Sequence, residues 1–119
     1  LDAGINISQI TFTSDGQGSL PEYDQEGNFK GVKLGKCKTL YEAVKKGIIE
    51  ENLRLEEIIK VITSNPATIF KLKGKGFIER GFDADLVILD KNLDIDSVFA
   101  LGQIMVKNKV AVVKGTFEK

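Results

Sequence analysis

The chain has no histidine, no tryptophan, one cysteine, two prolines and no net charge, and each shortage closes off a class of function. Histidine is the usual general base near neutral pH and the commonest ligand of catalytic zinc, so chemistry carried by these 119 residues alone has no imidazole to use. A single cysteine, Cys37, cannot close an internal disulfide, and nothing points to an oxidising compartment. The 17 Lys plus Arg are matched by 17 Asp plus Glu, which leaves no long-range field to gather phosphate backbones or anionic lipid. Neither nucleic acid nor membrane is expected as a partner. No apolar run approaches the roughly 20 residues of a spanning helix or the charged-then-apolar start of a signal peptide, and the expected compartment is the cytoplasm. What is present fits one small neutral domain: 42% apolar residues supply a modest core. The chain begins at Leu1 without a methionine and turns apolar at once, as expected of a fragment.

From Ile5 to Thr13 the β-branched run Ile-Asn-Ile-Ser-Gln-Ile-Thr-Phe-Thr predicts a strand delivering the polar, glycine-rich loop Ser14-Asp15-Gly16-Gln17-Gly18-Ser19. Leu20 to Lys38 shows no sustained period and reads as a long loop. Thr39 and Glu42 stand in capping-box spacing ahead of Leu40, Ala43, Val44 and Ile48, which predicts a helix from about Leu40 to Glu51. Leu55, Ile58, Ile59 and Ile62 repeat the stripe, with Glu56 and Glu57 where the helix dipole favours negative charge. Ser64-Asn65-Pro66 breaks that helix, and Pro66 can start a new turn running to about Leu72.

After Leu72 the sequence becomes glycine-punctuated and β-rich. Leu86-Val87-Ile88-Leu89, four apolar residues in a row, suits a strand buried on both faces. Short strands follow at Val98 to Leu101, Gln103 to Val106 and Val110 to Lys114, the last two joined by a tight turn in which Asn108 can take a positive φ. The strand near Ile5 to Thr13 lacks a neighbour, since a strand followed by helices normally sits in a parallel sheet of repeated units. It either joins the later β region or ends a larger barrel.

Asp15 is the leading candidate for chemistry, because it closes a predicted strand and opens a loop whose Gly16 and Gly18 let backbone approach a ligand. At the C-terminal end of a barrel strand such a carboxylate could bind a metal and move a proton; an Asp-Gly pair also shapes turns without chemistry, and spacing leaves both open. Ser19 can donate to a substrate carboxylate but has no base to make it a nucleophile. Cys37, with no histidine partner, reads as a loop or packing residue more readily than a reactive thiol. Lys71, Lys73 and Lys75 suggest a phosphate site less well than a solvated approach to a strand, and Asp83, Asp85 and Asp90 lack calcium-loop spacing and bracket a strand instead.

Three motifs together resemble a known family. Thr13-Ser14-Asp15-Gly16-Gln17-Gly18-Ser19, Thr63-Ser64-Asn65-Pro66-Ala67, and Gly74-Lys75-Gly76-Phe77-Ile78 with Gly81-Phe82-Asp83-Ala84-Asp85-Leu86-Val87 resemble the C-terminal third of metal-dependent amidohydrolases. The first motif, with Met105-Val106-Lys107 and Val113-Lys114-Gly115-Thr116-Phe117-Glu118, is similar to the isoaspartyl dipeptidase branch, the β-aspartyl peptidases. The resemblance covers essentially the whole chain.

It implies an α+β fragment: residues 1–72 as the last strand and helices of a (β/α)8 barrel, and 73–119 as a small antiparallel sheet belonging to a flanking β-sandwich. It also implies a zinc hydrolase of β-aspartyl dipeptides with a binuclear metal site. In that family Asp15 matches the aspartate after the eighth strand, which ligates one metal and carries a proton from bridging hydroxide to the leaving amine. Ser19 matches the serine that contacts the substrate α-carboxylate, with Gly16 and Gly18 keeping the loop close. The family's metal-binding histidines and carboxylated lysine lie upstream of the region represented here, and the 119 residues hold no histidine to replace them. The expected partners are therefore the N-terminal remainder of the parent enzyme, the dipeptide and further copies in a homo-oligomer, and the chain alone is expected to be inactive. Two alternatives stand beside this reading: a non-enzymatic assembly module whose Asp15 loop is only a turn, and an amidohydrolase acting on N-acyl amino acids or cyclic amides.

Overall fold

The computed structural model describes residues 4–115, which form a mixed helix and sheet structure divided between Pro66 and Ala67 into two compact units. Thr116, Phe117 and Glu118 of the C-terminal motif lie outside the described residues.

The first unit is built on an apolar helix stripe. Helix α1 (Thr39–Glu51) turns Tyr41, Val44 and Ile48 to one side, and a short helix α2 (Leu55–Ile58) running into a 3-10 turn (Ile59–Ile62) brings Ile58, Ile59, Val61 and Ile62 against them. Val44 is fully buried and Val61 nearly so, which makes them the centre of this core. The expected capping box does not form: Lys38 occupies the cap position, the Thr39 hydroxyl donates to the Lys36 carbonyl at 2.6 Å, and Glu42 pairs with Lys38 instead. Asn52 ends α1 in the left-handed conformation at φ 53°, its N–H donating to the Gly47 carbonyl.

Two expectations are corrected here. The run from Ile5 to Thr13 is not a strand: Ile7–Gln9 form a 3-10 turn capped by the Asn6 side chain, and the flanking residues are irregular. A strand exists only by pairing, and among the described residues none lies beside this run. Instead Ile7 and Ile10 pack on the helical core, and the Phe12 N–H donates to the Val61 carbonyl at 3.1 Å. Nor is Leu20 to Lys38 a loop throughout. It folds as an antiparallel hairpin of β1 (Ser19–Tyr23) and β2 (Phe29–Leu34), in register Ser19↔Leu34 through Tyr23↔Phe29 with a bulge after Glu22. Its tip is an aspartate-capped turn in which the Asp24 carboxylate accepts from Glu26 N–H at 3.0 Å and Asn28 N–H at 2.8 Å.

Helix α3 (Ser64–Ile69) starts two residues before Pro66, after a backbone break at Thr63. Buried Asn65 ties this start to the first turn of the unit: its Nδ2 donates to the carbonyls of Ile7 at 2.7 Å and Ile10 at 2.8 Å.

The second unit is a four-stranded antiparallel sheet in the order β3 (Leu86–Leu89), β4 (Ile95–Ala100), β5 (Gln103–Lys107), β6 (Val110–Ala111). The turn between β5 and β6 is the expected one, with Asn108 and Lys109 at φ 50° and 67°. The expected burial of the Leu86–Leu89 strand on both faces is overturned, because β3 is an edge strand in which Val87 is 54% and Ile88 50% exposed. Lysine–aspartate clusters fix the sheet's approaches. Lys75 pairs with Asp83 at 2.8 Å and with Asp85, whose second oxygen accepts from the Leu101 N–H at 2.8 Å; Lys109 pairs with Asp90 at 2.6 Å.

Candidate active site

The loop from Thr13 to Ser19 is a tight, self-bonded structure. The Asp15 N–H donates to the Thr13 hydroxyl at 3.4 Å and the Gly16 N–H to the Ser14 hydroxyl at 3.1 Å, two local turns that shorten the loop. Asp15 and Gln17 take left-handed φ values of 46° and 64°, and the Gly18 N–H closes onto the Asp15 carbonyl at 2.8 Å. Asp15 is an exposed residue in this bend.

The Asp15 carboxylate lies over Gly18. A methyl group on Gly18 would sit 2.5 Å from its carboxyl carbon and from both oxygens, so in this rotamer the carboxylate fills the space beside the Gly18 Cα. Gly16 meets a similar limit, since a methyl there would lie 2.6 Å from the Cys37 Sγ. Ser19 follows directly as the first residue of β1, exposed and paired with Leu34. The structure thus brings Asp15, Gly16, Gly18 and Ser19 together on one loop. It also adds Gly35, which the sequence reading left aside, and places Cys37, read as a loop or packing residue, against Gly16 of that loop. The signal for them was the hairpin: Asp24, Gly27 and Asn28 between Tyr23 and Phe29 are turn residues between strand-forming aromatics, and closing that hairpin returns residue 35 to the loop.

The lysines and remaining aspartates are placed elsewhere. The Lys75 ammonium bridges the Asp83 and Asp85 carboxylates; these hydrogen bonds hold the Lys75 ammonium above and the Asp85 carboxyl below their usual ranges. Asp90 is bonded first by the Lys109 ammonium and then by the Asp94 N–H, which lower it to about 2.

Among the described residues no three of Asp, Glu, Cys and His converge to hold a metal ion. A catalytic zinc needs three protein ligands, and the loop offers Asp15 alone, so the described residues do not by themselves fit a metal centre. No helix of the described residues is long and apolar enough to cross a membrane.

A strained, exposed aspartate on a glycine loop, followed by a short helical core and an antiparallel sheet, is an arrangement with known relatives. The amidohydrolase family model matches residues 1–117, and the chain belongs to that family. Within it, the chain is similar to the β-aspartyl dipeptidase of Fervidobacterium islandicum AW-1, solved with β-Asp-Leu dipeptide: 38% identity and a TM-score of 0.78 over 92% of this chain and 29% of that one. It is also similar to the N-acetylglucosamine-6-phosphate deacetylase of Lysinibacillus sphaericus, at 35% identity over 65% of this chain and 20% of the relative. The L-hydantoinase of Paenarthrobacter aurescens is 36% identical over 73% of this chain and 20% of its own length. The chain spans about a fifth of these curated relatives and under a third of the solved dipeptidase.

Proposed function

We propose that the chain is the C-terminal part of a metal-dependent isoaspartyl dipeptidase, a hydrolase that splits the β-amide bond of β-aspartyl dipeptides. The observation that supports this over other amidohydrolase activities is the likeness to the Fervidobacterium enzyme, which spans both compact units at 38% identity. Amidohydrolases are generally metal-dependent, and zinc is the metal we propose here. In this reading residues 1–72 are the last strand position and helices of a (β/α)8 barrel, and residues 73–119 are part of a β-sandwich. The histidine ligands come from outside this chain, which has none.

Hydrolysis adds water across the amide C–N bond: the hydroxyl joins the carbonyl carbon and a proton must reach the leaving amine nitrogen. Asp15, exposed at the apex of its loop, is the group we assign to move that proton and to supply this chain's one metal ligand. Ser19 is assigned to the substrate α-carboxylate, to which its hydroxyl donates, and Gly16 and Gly18 let the loop close against the Cys37 Sγ and the Asp15 carboxylate. Further copies of the same polypeptide are the proposed assembly partners.

The deacetylase and hydantoinase relatives favour a second reading, in which the same loop serves an N-acyl or cyclic amide. The complete polypeptide carrying this chain, purified with zinc, separates the two. Turnover of β-Asp-Leu well above that of N-acetyl-leucine and of a hydantoin is expected. Preference for either of the latter would overturn the dipeptidase assignment while leaving the family intact.

A further inference from the structure

Gly35 is buried where β2 ends, and two backbone hydrogen bonds join it to the Asp15 loop: its carbonyl accepts from the Gln17 N–H at 3.0 Å, and its N–H donates to the Gly18 carbonyl at 2.9 Å. Between those bonds the Asp15 backbone rests directly on the Gly35 Cα. A methyl group at residue 35 would collide with the Asp15 carbonyl oxygen, and would lie 3.1 Å from the Asp15 carbonyl carbon and 3.2 Å from the Ser14 carbonyl oxygen. These are backbone atoms, so no side-chain rotation relieves the clash. The φ of Gly35 lies outside the left-handed region, so an alanine there suits the local backbone and fails only because Asp15 is in the way.

We propose that Gly35 is a positioning residue for Asp15: the hairpin folds back to place a Cβ-free, doubly bonded backbone under the loop, and that contact fixes where the Asp15 carboxylate points. The inference rests on the role assigned to Asp15 in the preceding subsection. Gly35 touches no substrate. It acts by holding Asp15 and Gly18, the residue over which the carboxylate lies, in one register. A misplacement of about 1 Å at a reacting group can cost on the order of 100-fold in rate, and the clash demands a shift of that size.

The test uses the complete polypeptide with β-Asp-Leu as substrate and compares Gly35→Ala, Asp15→Ala, the double variant, and Lys33→Ala as a control on exposed β2 surface. Gly35→Ala is expected to lower kcat about 100-fold with a much smaller change in KM, and to add nothing in the Asp15→Ala background, because both act on one group. Lys33→Ala should leave kcat unchanged. Full activity in Gly35→Ala, with Asp15→Ala inactive, overturns the positioning role and spares the assignment of Asp15. Full activity in Asp15→Ala overturns that assignment and the inference with it. Hydrogen exchange on the unmodified polypeptide provides a check that survives misfolding of the glycine variant: the Gln17 and Gly35 amides should exchange slowly, and rapid exchange at both would remove the clamp.

Discussion

Asn65 shows how much one polar side chain can organise. Its amide group satisfies two carbonyls 58 and 55 residues away in sequence, and it does so while 94% of its surface is removed from solvent. Removing the donor leaves the Ile10 carbonyl without this partner and the Ile7 carbonyl with the Ile10 N–H alone, at a part-buried position, which costs about 1 to 3 kcal/mol. Asn65→Ala should therefore lower the unfolding free energy by about that amount in a denaturant titration, and Asn65→Asp should cost at least as much, because an acceptor-only carboxylate then faces two carbonyl oxygens. An unchanged midpoint in both variants would mean the two bonds are not made. The sequence marked Asn65 only as the middle of a motif. That its partners would be Ile7 and Ile10 was not readable, since no local pattern records a contact across more than 50 residues. Asp15 is the converse case, because its turn-forming neighbours are local and its exposed place on a glycine loop could be read from the residues alone.

At the scale of elements, periodic patterns translated well and pairing did not. The stripe on α1 is a property of the chain itself, and the structure returns it as Thr39–Glu51 with Val44 at the centre. Strands need partners, so the β-branched run at Ile5 to Thr13 had strand composition without strand structure, whereas the hairpin at residues 19–34, interrupted by Pro21 and Gly31, did form because its two halves pair with each other. The Asp90–Lys109 pair connects the approach to β4 with the β5–β6 turn and makes this sheet sensitive to pH. The bond from Lys109, followed by N–H groups of Asp94 and Asn92, lowers Asp90 from the ordinary 3.8 to about 2. A carboxyl held low in the folded state adds stability that is complete above its unfolded value and is lost as pH falls. The melting temperature should accordingly drop between about pH 4 and pH 2. Lys109→Met should flatten that part of the curve, and the Asn92 and Asp94 amides should preserve the remainder. Lys109 itself is raised above 10.5, so its contribution is present below that value and fades at higher pH.

For the whole molecule, the surface and the chemistry point the same way. Ile5, Phe12 and Ile49 in the first unit and Val87 and Ile88 in the second are large apolar residues left exposed. In the proposed enzyme these surfaces meet the rest of the barrel and sandwich, and the same missing partner would bring the histidines. Two properties of the 119-residue chain then stand or fall together: it should bind a hydrophobic dye and associate as its concentration rises, and it should hold less than one zinc per chain and leave β-Asp-Leu intact. The complete polypeptide should reverse both, losing the dye signal, binding zinc stoichiometrically and cleaving the dipeptide. An isolated chain that stayed monomeric, bound zinc one-to-one and hydrolysed β-Asp-Leu would require ligands that its described residues do not assemble, and would overturn the proposal that Asp15 works as one member of a site completed from outside.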